Sequence, residues 1–201
     1  MLISESMQNI IRVLLNKKVK SVRELSKEAN TSLGITSKIV NQLKISDYIS
    51  KRFEIKNKKR LLDFFAYSFS INELERIEFV AAERPQYIIK KIANIAIKND
   101  LEYAFTLFSA TEIIKPYVAP SETHFYILEE EKDEWERILP KNNILPSQRG
   151  NVLLLIVDRN YFYNMRVVDG IKVVSLSQLY ADLMSYKGRG EDAARELIEN
   201  V

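Results

Sequence analysis

The sequence predicts an α+β protein in which an N-terminal winged helix-turn-helix precedes a mixed α/β C-terminal domain. Three observations support this prediction. Apolar residues recur at helical spacing over the first 45 residues, strand-like and helix-like runs alternate after residue 70, and the two parts differ in charge. A chain of 201 residues is long enough for two domains that each bury a core, and we expect residues 1–68 and 69–201 to form them.

The charge is distributed unevenly along the chain. Residues 1–68 contain 14 Lys and Arg against 6 Asp and Glu, a balance of +8, and residues 69–201 contain 16 against 21, a balance of −5. The two balances sum to the formal net charge of +3. A basic first domain joined to a mildly acidic second domain favours a polyanionic partner for the first domain alone.

The composition excludes several classes of protein. No apolar run approaches the roughly 20 residues that span a bilayer, and the first residues lack the basic leader and cleavage site of a signal peptide. The sequence has no cysteine and one histidine, so we expect no disulfide framework, no metal site and no cofactor. We therefore expect a cytoplasmic protein that makes no membrane contact.

The first domain begins with three predicted helices. Residues 7–15 show the apolar spacing of the first helix, Ser21 is the expected N-cap of the second, and Ser32 is the expected N-cap of the third. The predicted inward side of the third helix consists of Thr36, Ile39, Val40 and Leu43. Two short helices separated by a tight turn fit a helix-turn-helix, so the third helix is the predicted recognition helix.

The outward side of the third helix carries the residues that we predict to contact bases. The small residues Ser32 and Gly34 at its start allow a close approach to the floor of the major groove. Ser37 and Asn41 can hydrogen-bond base edges, and Lys38 can reach a phosphate or a guanine.

A short wing is predicted after the recognition helix. The run DYISKRFEI, residues 47–55, alternates as a strand does and turns near its Lys-Arg pair, although it lacks the glycine that is usual in such a turn. The cluster KNKKR follows, and then an apolar helix that closes the domain. The predicted phosphate contacts are Lys51, Arg52, Lys56, Lys58, Lys59 and Arg60.

The second domain is predicted as strands interleaved with helices. Strands are expected at RIEFVAAE, at residues 103–108, at THFYIL, at GNVLLLIVD and around the Asp169-Gly170 turn. GNVLLLIVD is a continuous apolar run, which is typical of a central strand buried on both faces. Helices are expected at RPQYIIKKIANIAIKND, EEEKDEWERIL, LSQLYADLMSYK and EDAARELIEN. The sheet is therefore expected to be mixed.

Four segments of the chain resemble one known family. SLGITSKIVNQL, YAFTLFSATEIIKPYV, RGNVLLLIVDR and VVSLSQLYADLMSYKGRGEDAARELIE are similar to the AbiEi-like antitoxins and transcriptional regulators of type IV toxin–antitoxin systems. The last segment, with residues 178–183 at its centre, is the most specific. The resemblance implies a winged helix that binds operator DNA, and a C-terminal domain that neutralises a toxin protein or has another regulatory role. Since helix-turn-helix proteins use paired half-sites, we also expect a homodimer.

Candidate sites in the second domain are few. Arg189 lies between two glycines and could contact an anion or a partner, together with Tyr180 and with Asp182, which is expected to pair with Arg189 or Lys187. We predict no catalytic residue, since the sequence has no nucleotide-binding glycine motif and only His124 as a neutral base. Asp158 is interpreted as a turn residue at the end of a strand.

Two alternatives to a DNA-binding regulator stay open at this point. The chain could be a protein-interaction module that neutralises a toxin or acts as a scaffold, with a winged helix that no longer binds DNA. The acidic run of residues 129–136 could separately receive a basic partner. The chain could also be an enzyme of the nucleotidyltransferase or nuclease kind that uses Asp158, Glu75 and Glu78 as a carboxylate cluster. Salt-dependent DNA binding would argue against the interaction module. Metal-dependent activity that disappears on substitution of Asp158 would support the enzyme.

Overall fold

The protein has an α+β fold, as the sequence predicts. The computed structural model describes residues 3–68, 70–186 and 188–198. The chain forms two compact units: unit 1 comprises Met1–Asn72 and Leu176–Val201, and unit 2 comprises Glu73–Ser175. No helix in the described ranges is long and apolar enough to cross a lipid bilayer.

Unit 1 is helical. Its helices are α1 (Glu5–Asn16), α2 (Val22–Glu28), α3 (Leu33–Ile45), α4 (Lys58–Ala66), α8 (Leu176–Ser185) and α9 (Gly190–Ile198). The first four begin at side-chain N-caps, because the oxygens of Ser4, Ser21, Ser32 and Asn57 each accept a backbone N–H of the following turn. The N-caps predicted at Ser21 and Ser32 are therefore confirmed.

The compact units differ from the predicted division of the chain in two respects, of which the smaller is that unit 1 extends to Asn72. The two closing helices, predicted as part of the second domain, pack in unit 1, where α8 contacts α1, α4 and α9. The reason lies in α1, where residues 8–14 are all buried and not only its apolar face. A helix that is buried all round needs neighbours on every side, and α8 is one of the neighbours of α1, together with α2, α3 and α4.

A buried polar network joins α1 to α8. Arg12 is only 1% exposed; its Nε donates to Gln178 Oε1 at 3.0 Å and its Nη1 donates to Asn9 Oδ1 at 2.6 Å. Its guanidinium also lies over the ring of Phe65 in α4, 5.5 Å from the centroid. Gln178 Nε2 in turn donates to the buried Asp182 carboxylate at 2.8 Å. The network therefore fixes the positions of α1, α4 and α8 relative to one another.

Unit 2 is built on a mixed sheet, as predicted. Its strands are β1 (Arg76–Val80), β2 (Ala104–Phe105), β3 (Thr123–Leu128), β4 (Leu145–Pro146), β5 (Val152–Val157), β6 (Arg166–Val168) and β7 (Ile171–Val173). The order is β4-β1-β5-β3-β2-β7-β6 over the described residues, with β3 parallel to β5 and β2 parallel to β7. Every residue of β3 and β5 is buried, which confirms the central position predicted for the GNVLLLIVD run.

Three helices complete unit 2. They are α5 (Pro85–Asn99), α6 (Leu107–Ile114) and α7 (Lys132–Ile138). Trp135 of α7 is fully buried and packs edge-on against Phe125, with ring centroids 5.3 Å apart. The strand predicted over residues 103–108 is wrong in its second half, because Thr106 is the N-cap of α6 and Leu107 has a positive φ of 51°. The chain therefore leaves the sheet after Phe105.

Removing the buried guanidinium should destabilise unit 1 strongly. Arg12→Ala leaves the Gln178 and Asn9 oxygens without their donor and opens a cavity, so we expect the free energy of unfolding to fall by about 3–5 kcal/mol. The measurement is urea unfolding of the full chain followed by circular dichroism. The matched control Arg23→Ala removes an exposed arginine of α2 and should change the free energy by less than about 0.5 kcal/mol. Equal effects of the two variants would contradict the structural role of Arg12.

Candidate nucleic-acid interface

Helix α3 presents a polar face to solvent. Gly34, Ser37, Lys38 and Asn41 are exposed, whereas the residues predicted to face inward are buried. The start of the helix is fixed by Ser32, whose Oγ accepts the Ile35 N–H at 3.3 Å. The predicted base-contacting residues therefore share one accessible helix face, and none of them is used in the core of unit 1.

The turn before α3 is held by side-chain hydroxyls. The Thr36 hydroxyl donates to the Ser32 carbonyl at 2.8 Å, and the Oγ1 atoms of Thr31 and Thr36 lie 2.7 Å apart. The Ser26 hydroxyl donates to the Thr31 carbonyl at 2.7 Å and links the end of α2 to this turn. These bonds fix the direction in which α3 leaves the turn, and hence the surface that its first residues present.

Gly34 has no reason to be a glycine within the protein itself. It lies in the first turn of α3 with an ordinary negative φ, and a Cβ added there would meet no atom within 4 Å. In the interior of a helix glycine is less favourable than alanine by roughly 0.5–1 kcal/mol, which is an upper bound for a residue of the first turn, and no internal contact explains this cost. The missing side chain leaves room for a molecule outside the chain to approach the helix.

A short hairpin follows α3 at the position predicted for the wing. Ile49 and Ile55 form an antiparallel bridge, and Ser50 Oγ accepts the N–H groups of Arg52 at 3.1 Å and Glu54 at 3.2 Å. In this turn Phe53 occupies the left-handed position where glycine is usual, with φ of 65°. Such a backbone is strained for a bulky residue by about 1–2 kcal/mol.

Aromatic rings hold basic side chains around this hairpin. The Lys44 ammonium lies 4.7 Å from the centroid of the Phe53 ring, and the Arg60 guanidinium lies 4.6 Å from that of Tyr48. Tyr48 stacks on Phe64 of α4 with centroids 5.0 Å apart. The end of α3, the hairpin and the start of α4 are thus tied together, and their cations are gathered in one region.

The six predicted phosphate contacts are all exposed, but they differ in their partners. Lys56 pairs with Asp47, Lys59 pairs with Asp63 at 2.7 Å, and Arg60 is held by Tyr48. The other three make no ion pair with any residue that the structure describes, and they are Lys51, Arg52 and Lys58. Lys44 was missed by the sequence reasoning, since its role depends on the ring of Phe53 rather than on a cluster of charges.

Tyr180 is tied to the basic region through Asp63. The Tyr180 hydroxyl donates to Asp63 Oδ1 at 2.6 Å, while Lys59 binds the other carboxylate oxygen. Burial tends to raise the pKa of Asp63, but the bonds from Lys59 and Tyr180 outweigh it and hold this pKa below its usual value. Burial and the adjacent carboxylate raise the pKa of Tyr180, so its hydroxyl stays a donor. A cavity of about 420 Å³ lies beside this contact, lined in part by Tyr67 and Arg195.

The three residues predicted as a partner or anion site do not form one surface. Asp182 is fully buried in the network of α8, Tyr180 faces Asp63, and Arg189 is exposed. Gly188 has φ of 83°, and a Cβ on Gly190 would lie 2.3 Å from the Leu183 carbonyl oxygen, so both glycines shape the junction of α8 and α9. Lys187, the other predicted partner of Asp182, lies outside the described residues.

The residues of unit 2 that were considered as a base or as a carboxylate cluster make contacts within the protein. Asp158 accepts the Asn160 N–H at 2.6 Å and caps a 3-10 turn, and Ser109 Oγ accepts the His124 N–H at 2.9 Å. Burial, with the nearby Arg76, lowers the pKa of His124 to about 4. Glu75 pairs with Lys132 at 2.7 Å. Within the described ranges, no three His, Asp or Glu side chains gather as metal ligands.

Comparison with known protein families gives one match. The model of a family described as "Transcriptional regulator, AbiEi antitoxin, Type IV TA system" matches residues 54–201, well over half of the chain. The matched range includes the whole of unit 2 and the helices α4, α8 and α9 of unit 1, and it begins inside the hairpin. Comparison with curated proteins and with solved structures found no match.

The Tyr180–Asp63 contact should make stability depend on pH in a defined direction. Because the folded-state pKa of Asp63 lies below the unfolded value of 3.8, its contribution is present above that value and disappears as the pH falls through the folded-state pKa. Tyr180→Phe removes one donor and should cost about 1–2 kcal/mol at pH 7, as measured by urea unfolding.

The difference between parent and variant should stay constant from pH 7 to about pH 5 and shrink below pH 4. The control Lys59→Ala removes only an exposed partner of Asp63 and should cost less than about 1 kcal/mol. A Tyr180→Phe deficit that is as large at pH 3 as at pH 7 would show that the hydroxyl does not act through the Asp63 carboxylate.

Proposed function

The chain belongs to the AbiEi antitoxin family of type IV toxin–antitoxin regulators, and on that premise we propose that unit 1 binds double-stranded operator DNA as a winged helix-turn-helix. The observation that carries the proposal is the exposed polar face of α3, together with the cations of α3 and α4, Lys44 and Arg60, that aromatic rings hold around the hairpin. This combination supplies base-reading groups and phosphate-binding groups on adjoining elements.

In this proposal α3 enters the major groove with its first turns. Ser37 and Asn41 donate and accept hydrogen bonds at base edges, and Lys38 binds a guanine or a phosphate. Ser32 and Gly34 allow the start of the helix to approach the groove floor. None of these side chains needs to leave a core contact in order to bind.

The cations form three groups that differ in the partners they have before DNA binds. Lys51, Arg52 and Lys58 have no ion pair among the described residues, so phosphate binding costs them no existing partner. Lys56 and Lys59 must exchange a carboxylate for a phosphate, which reduces their net contribution. Arg60 and Lys44 keep their aromatic contacts while facing a phosphate. The first group should therefore dominate the electrostatic part of affinity.

The family description supports a regulatory and antitoxin role, and the half-sites that helix-turn-helix proteins use support a dimer. The protein acts in the cytoplasm as a homodimer that represses or activates its own operon, with one α3 in each half-site. Unit 2 is non-catalytic and contributes a surface for a toxin protein or for the second subunit. Its acidic segment, which includes the exposed Glu129 and Glu130, suits a basic partner.

Salt dependence tests DNA binding directly. A duplex from upstream of the protein's own gene should bind, with the logarithm of the association constant falling linearly with the logarithm of salt concentration. Replacing Lys51, Arg52 and Lys58 by Ala together should lower the magnitude of this slope by about 0.9 for each phosphate that is no longer neutralised, or roughly 2–3 in all. Fluorescence anisotropy over a salt series measures the slope.

A charge-matched control separates local contacts from net charge. Replacing Lys98, Lys141 and Arg149 of unit 2 by Ala removes the same number of exposed lysines and arginines and should leave the slope within about 0.5 of the parent value. Equal slopes for the two triple variants would contradict the proposed phosphate contacts. Failure of the parent to retain any duplex at low salt would favour a protein-interaction module instead.

Gly34→Ala should separate stability from DNA affinity. Because the added methyl meets no atom of the protein, we expect the free energy of unfolding to stay equal or rise by up to about 1 kcal/mol. The same methyl lies between α3 and the groove floor, so the free energy of duplex binding should weaken by about 1–3 kcal/mol, as in an overpacked contact. Thermal unfolding and anisotropy measure the two effects. Unchanged affinity would show that DNA does not approach α3 at this residue.

A further inference from the structure

Two apolar side chains project from the first turn of α3. Leu33 is 48% exposed and Ile35 is 47% exposed, and they flank Gly34 in the sequence. At about 100° per residue they lie on opposite sides of the helix, with the glycine between them on its outward side. The first turn therefore presents a small gap with an aliphatic side chain on either side.

The position of these side chains is informative, although single exposed apolar residues are common. In a helix-turn-helix, the first residues of the recognition helix reach the base edges. Neither Leu nor Ile can form a hydrogen bond through its side chain. In the major groove the apolar group available to them is the C5-methyl group of thymine, which the other three standard bases lack.

We propose that Leu33 and Ile35 recognise thymine by packing against its 5-methyl group, so that thymines opposite the first turn of α3 help to define the operator. This inference rests on the proposed DNA-binding function and adds to it the base type that is read. In this proposal the apolar contacts at the start of α3 distinguish thymine from the other bases. Ser37 and Asn41, further along the helix, form the hydrogen bonds to base edges.

Charge supports DNA rather than an apolar protein groove as the occupant of this turn. The same helix carries the exposed Lys38, and the adjoining hairpin carries Lys51 and Arg52 without ion pairs among the described residues. An apolar groove on a protein would leave these cations without compensation, whereas a duplex places phosphates on both sides of the base edges.

The test replaces thymine by uracil, which removes the methyl group and keeps every hydrogen-bonding atom. A duplex is first selected by the full chain from a random pool, and each thymine of the selected duplex is then replaced singly by deoxyuridine. Loss of one buried methyl group should weaken binding about three- to fivefold at one or two positions of each half-site and not at the others. Anisotropy at fixed salt measures the change.

Variants of the helix connect the sensitive positions to the side chains. Ile35→Ala and Leu33→Ala should each bind the thymine duplex more weakly and lose the response to uracil at one sensitive position. The matched control Ile45→Ala removes an isoleucine that is 86% exposed at the other end of the same helix, and it should keep the full response. Circular dichroism checks that each variant is folded.

The outcomes separate this inference from the function on which it rests. If the duplex binds in a salt-dependent way but no thymine-to-uracil replacement weakens binding, thymine recognition is overturned and DNA binding stands. Sensitive thymines whose response persists in both alanine variants would also overturn it. If no duplex is selected at low salt, the proposed function and the inference fail together. The scan with the parent protein needs no variant, so impaired folding of a variant would not remove the test.

Discussion

The structure of unit 1 depends on a single buried guanidinium. Arg12 reaches from α1 to Gln178 of α8, to Asn9 of its own helix and to the ring of Phe65 in α4. A charged group in the interior is stable only where such partners are in place, so the three helices must meet in one arrangement. The same α1 also contacts α2 and α3. The orientation of the proposed recognition helix therefore depends on a contact that the C-terminal helices complete.

The contact between α1 and α8 also relates the family match to the N-terminal helices that lie outside it. The matched range, residues 54–201, contains Gln178 and Asp182 but not Arg12, so its most specific segment packs on a helix that lies before the match. The C-terminal helices belong to the body that presents α3 and not to the sheet of unit 2. In the proposed function, unit 2 then contributes partner contacts while DNA binding stays with unit 1.

Several residues of the proposed interface reduce the stability of the protein on its own. Phe53 has a left-handed backbone that costs about 1–2 kcal/mol, and its contact with Lys44 offsets only about 0.5–1 kcal/mol of this. Gly34 weakens a helix without an internal reason, and Leu33 and Ile35 stay half exposed. Proteins tolerate such departures mainly at functional sites, because a partner supplies the missing contacts. On α3 and the hairpin these departures adjoin exposed cations, whereas the other bulky left-handed residue, Leu107, is buried in unit 2.

The sequence predicts the local features of this molecule better than its long-range ones. Ser21, Ser32 and the apolar run of β5 carry signals that act over a few residues, and the structure agrees with each. The placement of α8 depends on a hydrogen bond between residues 166 positions apart, and no local pattern reports such a pair. One signal was present, since Arg12 interrupts an apolar stretch of α1.

The same contrast between local features and long-range contacts applies to the proposed interface. The exposed face of α3 follows from helical periodicity. The partners of Lys56 and Lys59, the strain at Phe53 and the role of Lys44 arise from side chains that meet only after folding.

Hydrogen exchange with and without duplex DNA locates the DNA-binding surface without any substitution. We expect slower exchange on DNA addition in the first turns of α3, in the hairpin and at the start of α4, with amides of the sheet in unit 2 unchanged. Protection that falls on unit 2 while α3 exchanges as before would contradict the proposed DNA-binding surface.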